Sequence, residues 1–258
     1  MEKVTVPDIL ARKGSRDKIS SLTAYDYPTA RIVDAAGLDI ILIGDSLGDN
    51  VLGYSSTLPV TMDEMLHHTK AVARGVQRAL LCVDMPFLSF QLGVDEAVFN
   101  AGRFIKEAGA EAVKVEGGQE IVPAVARMTE IGIPVMGHLG MTPQKRHAFG
   151  RFGVQGKTKE SAERMIEDAR ALQESGVFSV VLELVKAELA ARITEALHVP
   201  TIGIGSGQDC DGQILVFHDL VGLNTQVPRH VRKYAELFEG ALDAVRRYKE
   251  DIESGRFP

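Results

Sequence analysis

Six ionisable side chains stand at the ends of short apolar runs: Asp45, Asp84, Lys114, Glu116, His138 and Glu183. Lys114 and Glu116 are two residues apart, so on a strand they point to the same side, an ammonium beside a carboxylate. Facing the inside of a fold, such a pair is either a structural ion pair or working chemistry, because an unpaired buried charge is costly. Gly44-Asp45-Ser46 alone reads as a turn, and His138 alone as a hydrogen-bonded structural residue. Convergence shifts the balance, since four carboxylates, one lysine and one histidine from five successive strands would meet at one mouth. Asp45, Asp84 and Glu116 offer only oxygen, and no H-x-x-x-H or cysteine pair supplies a softer set. That donor set suits Mg²⁺, which takes one or two carboxylates and completes its shell with waters and a substrate. A cation so held chelates a 2-oxo acid and stabilises the enolate formed when a neighbouring C–H loses its proton. The reaction needs a base, and Glu183 is the natural one.

The elements that must position these groups alternate along the chain. Apolar runs at 19–24, 40–44, 79–83, 112–115, 135–138, 178–182, 201–204 and 214–216 read as strands. Their Val, Ile and Leu do not alternate with polar residues, which marks strands buried on both faces of a parallel sheet. Amphipathic stretches at 63–76, 95–108, 161–174 and 187–197 read as helices, with Thr61 and Thr158 as N-caps and Gly109 and Gly176 as stops. Eight such units in a chain of 258 residues predict an α/β fold, a single-domain (β/α)8 TIM barrel, with an open doubly wound sheet as the alternative. Functional groups in both gather at the carboxyl ends of strands, where these six lie. Residues 228–258 read as a C-terminal helical segment that caps the barrel or serves an oligomer contact.

Composition excludes several classes. With 45% hydrophobic and 25% charged residues the chain is an ordinary globular one, and a net charge of −6 argues against a nucleic-acid binder. Two cysteines make no disulfide framework, and Cys82 sits in an apolar run as a small hydrophobe. No leader pattern opens the sequence and no run approaches the ~20 apolar residues of a membrane span, so a cytoplasmic location is expected, with neither membrane nor nucleic-acid partners. The adjacent His67 and His68 lack zincin spacing and belong on the surface or behind the site. The Gly203–Gly207 run either cradles a phosphate or makes a tight turn.

Ordered blocks along nearly the whole chain resemble the ketopantoate hydroxymethyltransferase family: Leu22–Tyr27, Gly44–Gly48, Ser56–Thr61, Asp84–Phe87, Lys114–Gly118, Gly137–Gln144 and Asp211–Val216. The resemblance implies a barrel of the phosphoenolpyruvate/pyruvate type that depends on Mg²⁺. It implies transfer of a hydroxymethyl group from 5,10-methylenetetrahydrofolate to 3-methyl-2-oxobutanoate, giving 2-dehydropantoate, the opening step of pantothenate biosynthesis. Carried over by motif, Asp45 and Asp84 are the metal ligands and Glu116 completes the metal site. Asp45, Ser46, Asp84 and Lys114 contact the 2-oxo acid, Glu183 accepts the proton, and His138 matches a position near the substrate. The family's assembly implies a homo-oligomer, a decamer. After Glu183, Leu184-Val185-Lys186 stands where the family has a small residue, Val and Pro, a change expected to loosen that loop, and Ser206 replaces a usual Ala. The alternative on the same barrel is a Mg²⁺-dependent C–C lyase or mutase acting on a 2-oxo acid.

Overall fold

The protein is seen in a computed structural model that describes residues 2–257. Eight strands are found among the described residues: β1 (Ile19–Thr23), β2 (Ile40–Ile43), β3 (Leu80–Asp84), β4 (Ala112–Glu116), β5 (Val135–Gly140), β6 (Ser179–Glu183), β7 (Thr201–Ile204) and β8 (Gly212–Leu215). Successive strands pair in parallel and the sheet closes into a barrel, which removes the doubly wound alternative. Every expected strand is present. The last begins earlier than its apolar run, at Gly212, because closure brings it hard against β1. Ile19 N–H donates to Asp211 O at 2.9 Å, and a Cβ on Gly212 would lie 2.5 Å from the Ile19 carbonyl oxygen.

The helices are α1 (Val6–Leu10), α2 (Tyr27–Ala35), α3 (Leu47–Asn50), α4 (Met62–Ala73), α5 (Val94–Ala108), α6 (Val122–Glu130), α7 (Arg146–Phe149), α8 (Lys159–Glu174), α9 (Ala187–Ala196), α10 (Phe217–Leu220) and α11 (Leu237–Glu253). Thr61 and Thr158 cap α4 and α8 as expected, each accepting from the N–H three residues on. Gly109 ends α5 in the left-handed conformation, φ 77°.

Strand period two sorts the barrel interior into layers. Ile19, Ile40, Leu42, Leu80, Cys82, Ala112, Met136, Val181, Ile202 and Ile214 form one apolar cluster, joined by Val4 and Ile9 from the N-terminal segment. Val4 N–H bonds Arg78 O just ahead of β3, so that segment closes the amino-terminal end of the barrel. The same parity, carried one step up β3, β4, β5 and β6, turns Asp84, Lys114, Glu116, His138 and Glu183 inward at the carboxyl-terminal end. Burial pushes the Cys82 thiol far above its ordinary pKa, with Asp84 adding to the shift, so this residue is a core hydrophobe as expected.

The chain divides into two compact units, Met1–Ile214 with the barrel and Leu215–Pro258. In the second, the helix expected over 228–258 is confined to α11. Ahead of it the backbone spends its donors elsewhere: Tyr234 N–H bonds Leu220 O at 2.8 Å and Leu237 N–H bonds Val221 O at 3.0 Å. Gly222 makes room for this pairing, since a Cβ there would lie 2.2 Å from Ala235 O. Along α11, Phe238, Val245, Tyr248 and Ile252 are exposed. Among the described residues no helix is long and apolar enough to cross a membrane.

Candidate active site

All six ionisable residues lie at the carboxyl-terminal mouth of the barrel. Register sets the first contact. Asp84 on β3 is the lateral partner of Lys114 on β4, and the two side chains meet at 2.7 Å between Oδ1 and Nζ. Glu116, which shares a face with Lys114, is farther off at 4.0 Å, so the closest ion pair is with Asp84 across the strands. Glu116 pairs laterally with His138 on β5, and its Oε1 lies 3.5 Å from Nδ1. The same Nδ1 stands 3.2 Å from Lys114 Nζ; unprotonated it accepts from the ammonium, and protonated it faces Glu116. On the other side of the ring, Nε2 is 3.4 Å from Glu183 Oε2 on β6, close enough for charge to be felt though not a formed hydrogen bond. The cluster therefore runs without a break from Asp84 through Lys114 and His138 to Glu183.

Asp45 follows β2 in a tight turn, with Gly48 N–H bonded back to its carbonyl. Its own N–H donates to Asp84 Oδ2 at 3.1 Å. Gly44 permits the crowding here: a Cβ would lie 2.6 Å from Ser46 Oγ and 3.5 Å from Asp84 Oδ2. Ser46 is half-buried, and its Oγ shares a 2.8 Å hydrogen bond with the Tyr25 hydroxyl. Behind Tyr25, His68 Nδ1 meets the Tyr25 carbonyl at 2.6 Å, which places this histidine in support of the site, while His67 is exposed.

Burial acts on every group, and neighbours decide the outcome. Burial pushes the Asp45 carboxyl well above its ordinary value, helped by Asp84 and Glu116 and opposed by Lys114 and Gln144. Asp84 is raised for the same first reason, more than Lys114 offsets. Burial pulls Lys114 down, but the carboxylates of Asp84, Glu116 and Asp45 outweigh it and hold the ammonium charged. Burial raises Glu116 too, yet His138, Lys114 and the Gln144 N–H bring it below the usual carboxylate range. His138 is pressed down by burial and by Lys114, and the two glutamates beside it leave it raised. Glu183, with 18% of its side chain exposed, is more accessible to solvent than the Asp84, Lys114, Glu116 and His138 side chains.

Among the described residues no three carboxylate, imidazole or thiol groups form a ready-made metal cage. Mg²⁺ does not require one. Three buried carboxylates, Asp45, Asp84 and Glu116, face one ammonium, Lys114, an anionic excess that a divalent cation would neutralise. Asp84 Oδ1 is buried without a hydrogen bond, its contact with Lys114 lying outside hydrogen-bond geometry. These residues fit a hard cation.

Two further groups were not legible as site residues. Gln144, one residue beyond the Thr142-Pro143 pair, binds Asp45 and Glu116, and Tyr25 binds Ser46. Only a block of similarity marked either. The loop after Glu183 is tied back to β7 and to the turn that follows it. Leu184 has the left-handed φ of 47°, and its N–H donates to Ile204 O at 2.9 Å. Ser206 Oγ accepts from Val185 N–H at 2.9 Å and donates to Leu182 O at 2.7 Å. The glycines around Ser206 serve that turn, Gly205 at φ 62° and Gly207 at φ 87°.

A parallel barrel with carboxylates at its mouth places the chain in a class of known architecture. Phosphonopyruvate hydrolase, solved in complex with oxalate and Mg²⁺, has the same fold at a TM-score of 0.64 and 13% identity, over 98% of this chain and 88% of that one. Phosphoenolpyruvate phosphomutase from Streptomyces platensis subsp. rosaceus is similar at 0.62 and 13%, over 97% and 88%. The protein thus shares the closed (β/α)8 barrel fold of these two structures. More specifically, a family model described as ketopantoate hydroxymethyltransferase matches residues 3–258. The 3-methyl-2-oxobutanoate hydroxymethyltransferase of Syntrophobacter fumaroxidans is 57% identical over 257 residues, covering 99% of this chain and 91% of that one. That of Moorella thermoacetica is 56% identical over 257 residues, covering 99% and 96%. The chain belongs to the ketopantoate hydroxymethyltransferase family.

Proposed function

We propose that this protein forms ketopantoate, transferring a hydroxymethyl group from 5,10-methylenetetrahydrofolate to 3-methyl-2-oxobutanoate with the help of Mg²⁺. The observation that carries the reading is the unbroken cluster from Asp84 and Lys114 through His138 to Glu183, in a chain of this family. Asp45 and Asp84 would hold the cation, with Glu116 completing its surroundings. When bound, the cation supplies positive charge for the negative charge that develops on the C2 oxygen of the 2-oxo acid. Lys114, kept charged by its carboxylates, and Ser46, oriented by Tyr25, receive the substrate's anionic end. Glu183 takes the proton from C3, and the C–H electron pair moves toward C2. His138 Nε2 faces the Glu183 carboxylate and orients it. Water adds to the donor's methylene carbon as both of its C–N bonds break, so that tetrahydrofolate leaves with the two protons of that water and the one-carbon unit is released as formaldehyde. The C3 carbon then adds to the formaldehyde carbon, and the formaldehyde oxygen takes the proton held by Glu183 to become the hydroxyl.

The family's assembly and the exposed apolar side chains of α11 support a homo-oligomer as the working form. The test of function is deuterium exchange at C3 of 3-methyl-2-oxobutanoate in D₂O, followed by NMR with Mg²⁺ and then with EDTA, before the folate is added. Metal-dependent exchange followed by folate-dependent ketopantoate formation is expected. Absence of exchange with and without tetrahydrofolate would overturn the transferase reading in favour of a lyase or mutase.

A further inference from the structure

We propose that Gln144 is the positioning residue of the cation site, holding Asp45 by Oδ2 so that its Oδ1 faces the ion, and anchoring Glu116 beside it by Oε2. The proposal rests on the cation reading above. Gln144 is 5% exposed and stands in the first turn after β5. Its N–H donates to Glu116 Oε2 at 3.0 Å. Its side-chain amide nitrogen donates to Asp45 Oδ2 and to Met85 O, both at 2.9 Å. Its Oε1 accepts from Gln91 Nε2 at 3.1 Å.

Three of these bonds fix the side-chain amide without ambiguity. A carboxylate and a backbone carbonyl can only accept, so the NH₂ group must face them and Oε1 must face Gln91. One residue after β5 thereby ties together groups that follow β2, β3 and β4. Among the described residues no hydrogen bond reaches Asp45 Oδ1. Glu116 Oε1 is left toward Lys114 and His138. Glutamate has the same shape but no donor, and it would set a fourth carboxylate against Asp45. Gln91 is exposed and its side chain reaches Gln144, so it locks the amide from outside the cluster.

Outer hydrogen-bond partners of metal ligands typically change affinity by about 10–100-fold when replaced. The test is calorimetric titration of Mg²⁺ into the protein in the presence of oxalate, for the wild type, Gln144→Glu and Gln91→Ala, with melting of the metal-free proteins alongside. A loss of about 10–100-fold in Mg²⁺ affinity is expected for Gln144→Glu, and a smaller loss for Gln91→Ala with unchanged melting. Deuterium exchange should recover in Gln91→Ala at saturating Mg²⁺, separating an effect on metal binding from one on turnover. Wild-type affinity in a folded Gln144→Glu, or in Gln91→Ala if the first does not fold, overturns the proposal. A wild type that binds no Mg²⁺ overturns the cation reading itself and the proposal with it, so the two failures are told apart.

Discussion

Replacing Gly140 by alanine puts the geometry of the proposed base to a direct test. Gly140 is the lateral partner of Glu183 and has φ 97°, a conformation that side chains rarely adopt. A Cβ there would sit 2.2 Å from the Glu183 carbonyl oxygen and 2.7 Å from Val185 Cγ2. Relieving that overlap requires a shift of about 1 Å, and a misplacement of that size at a reacting group costs roughly 100-fold in rate. The left-handed backbone adds about 1–2 kcal/mol. The 2.8 Å bond from Met141 N–H to Glu183 O would also be disturbed, at a cost of about 1 kcal/mol. At about 2–4 °C per kcal/mol the melting temperature should fall by several degrees. The assay is Mg²⁺-dependent C3 exchange in D₂O, with oxalate binding measured to show that the cation site survives. Gly102→Ala is the control, because its Cβ meets nothing within 4 Å on α5 and exchange should be unchanged. A Gly140→Ala protein with wild-type exchange and melting would refute the placement of Glu183 as the base.

Three other changes probe separate links. Glu183→Gln should slow exchange by about 10²–10⁴-fold while oxalate still binds by calorimetry, and equal loss of both would remove it as the base. Ser206→Ala leaves the Val185 N–H without its partner and removes one of the bonds to Leu182 O, so denaturant unfolding should register a loss of about 1–3 kcal/mol, and hydrogen exchange at the Val185 amide should rise. Asp34 accepts from the N–H groups of Gln77, Arg78 and Ala79 ahead of β3; burial raises its pKa, and those bonds outweigh it to leave the group lowered. A lowered folded-state pKa contributes stability above the unfolded value of about 3.9, lost as the pH falls through the folded one. The stability gap to Asp34→Asn, about 1–3 kcal/mol near neutrality, should therefore narrow below that pH in urea titrations; a gap constant with pH would contradict the assignment.

The amino-acid sequence by itself determined the alternation of buried strands and helices and the direction of the charges, while closure into a barrel was decided by the tertiary structure. Periodicity is local: short Val/Ile/Leu runs without alternation, bounded by turn residues, read as strands covered on both sides, on which residues 114 and 116 share a face. Threonine caps and glycine stops are local as well, which is why α4 and α8 begin at Thr61 and Thr158. Tertiary structure decided which charges touch. Lys114 takes Asp84 as its nearest partner because lateral register sets the two side by side, whereas Glu116 on its own strand is one pleat farther along. Closure of the sheet brought Gly212 into β8, and pairing with Leu220 and Val221 kept residues ahead of Leu237 out of the last helix. The bond from Gln144 to Asp45 spans 99 positions. No local pattern encodes such a bond, because its length depends on how eight strands stagger around a closed barrel.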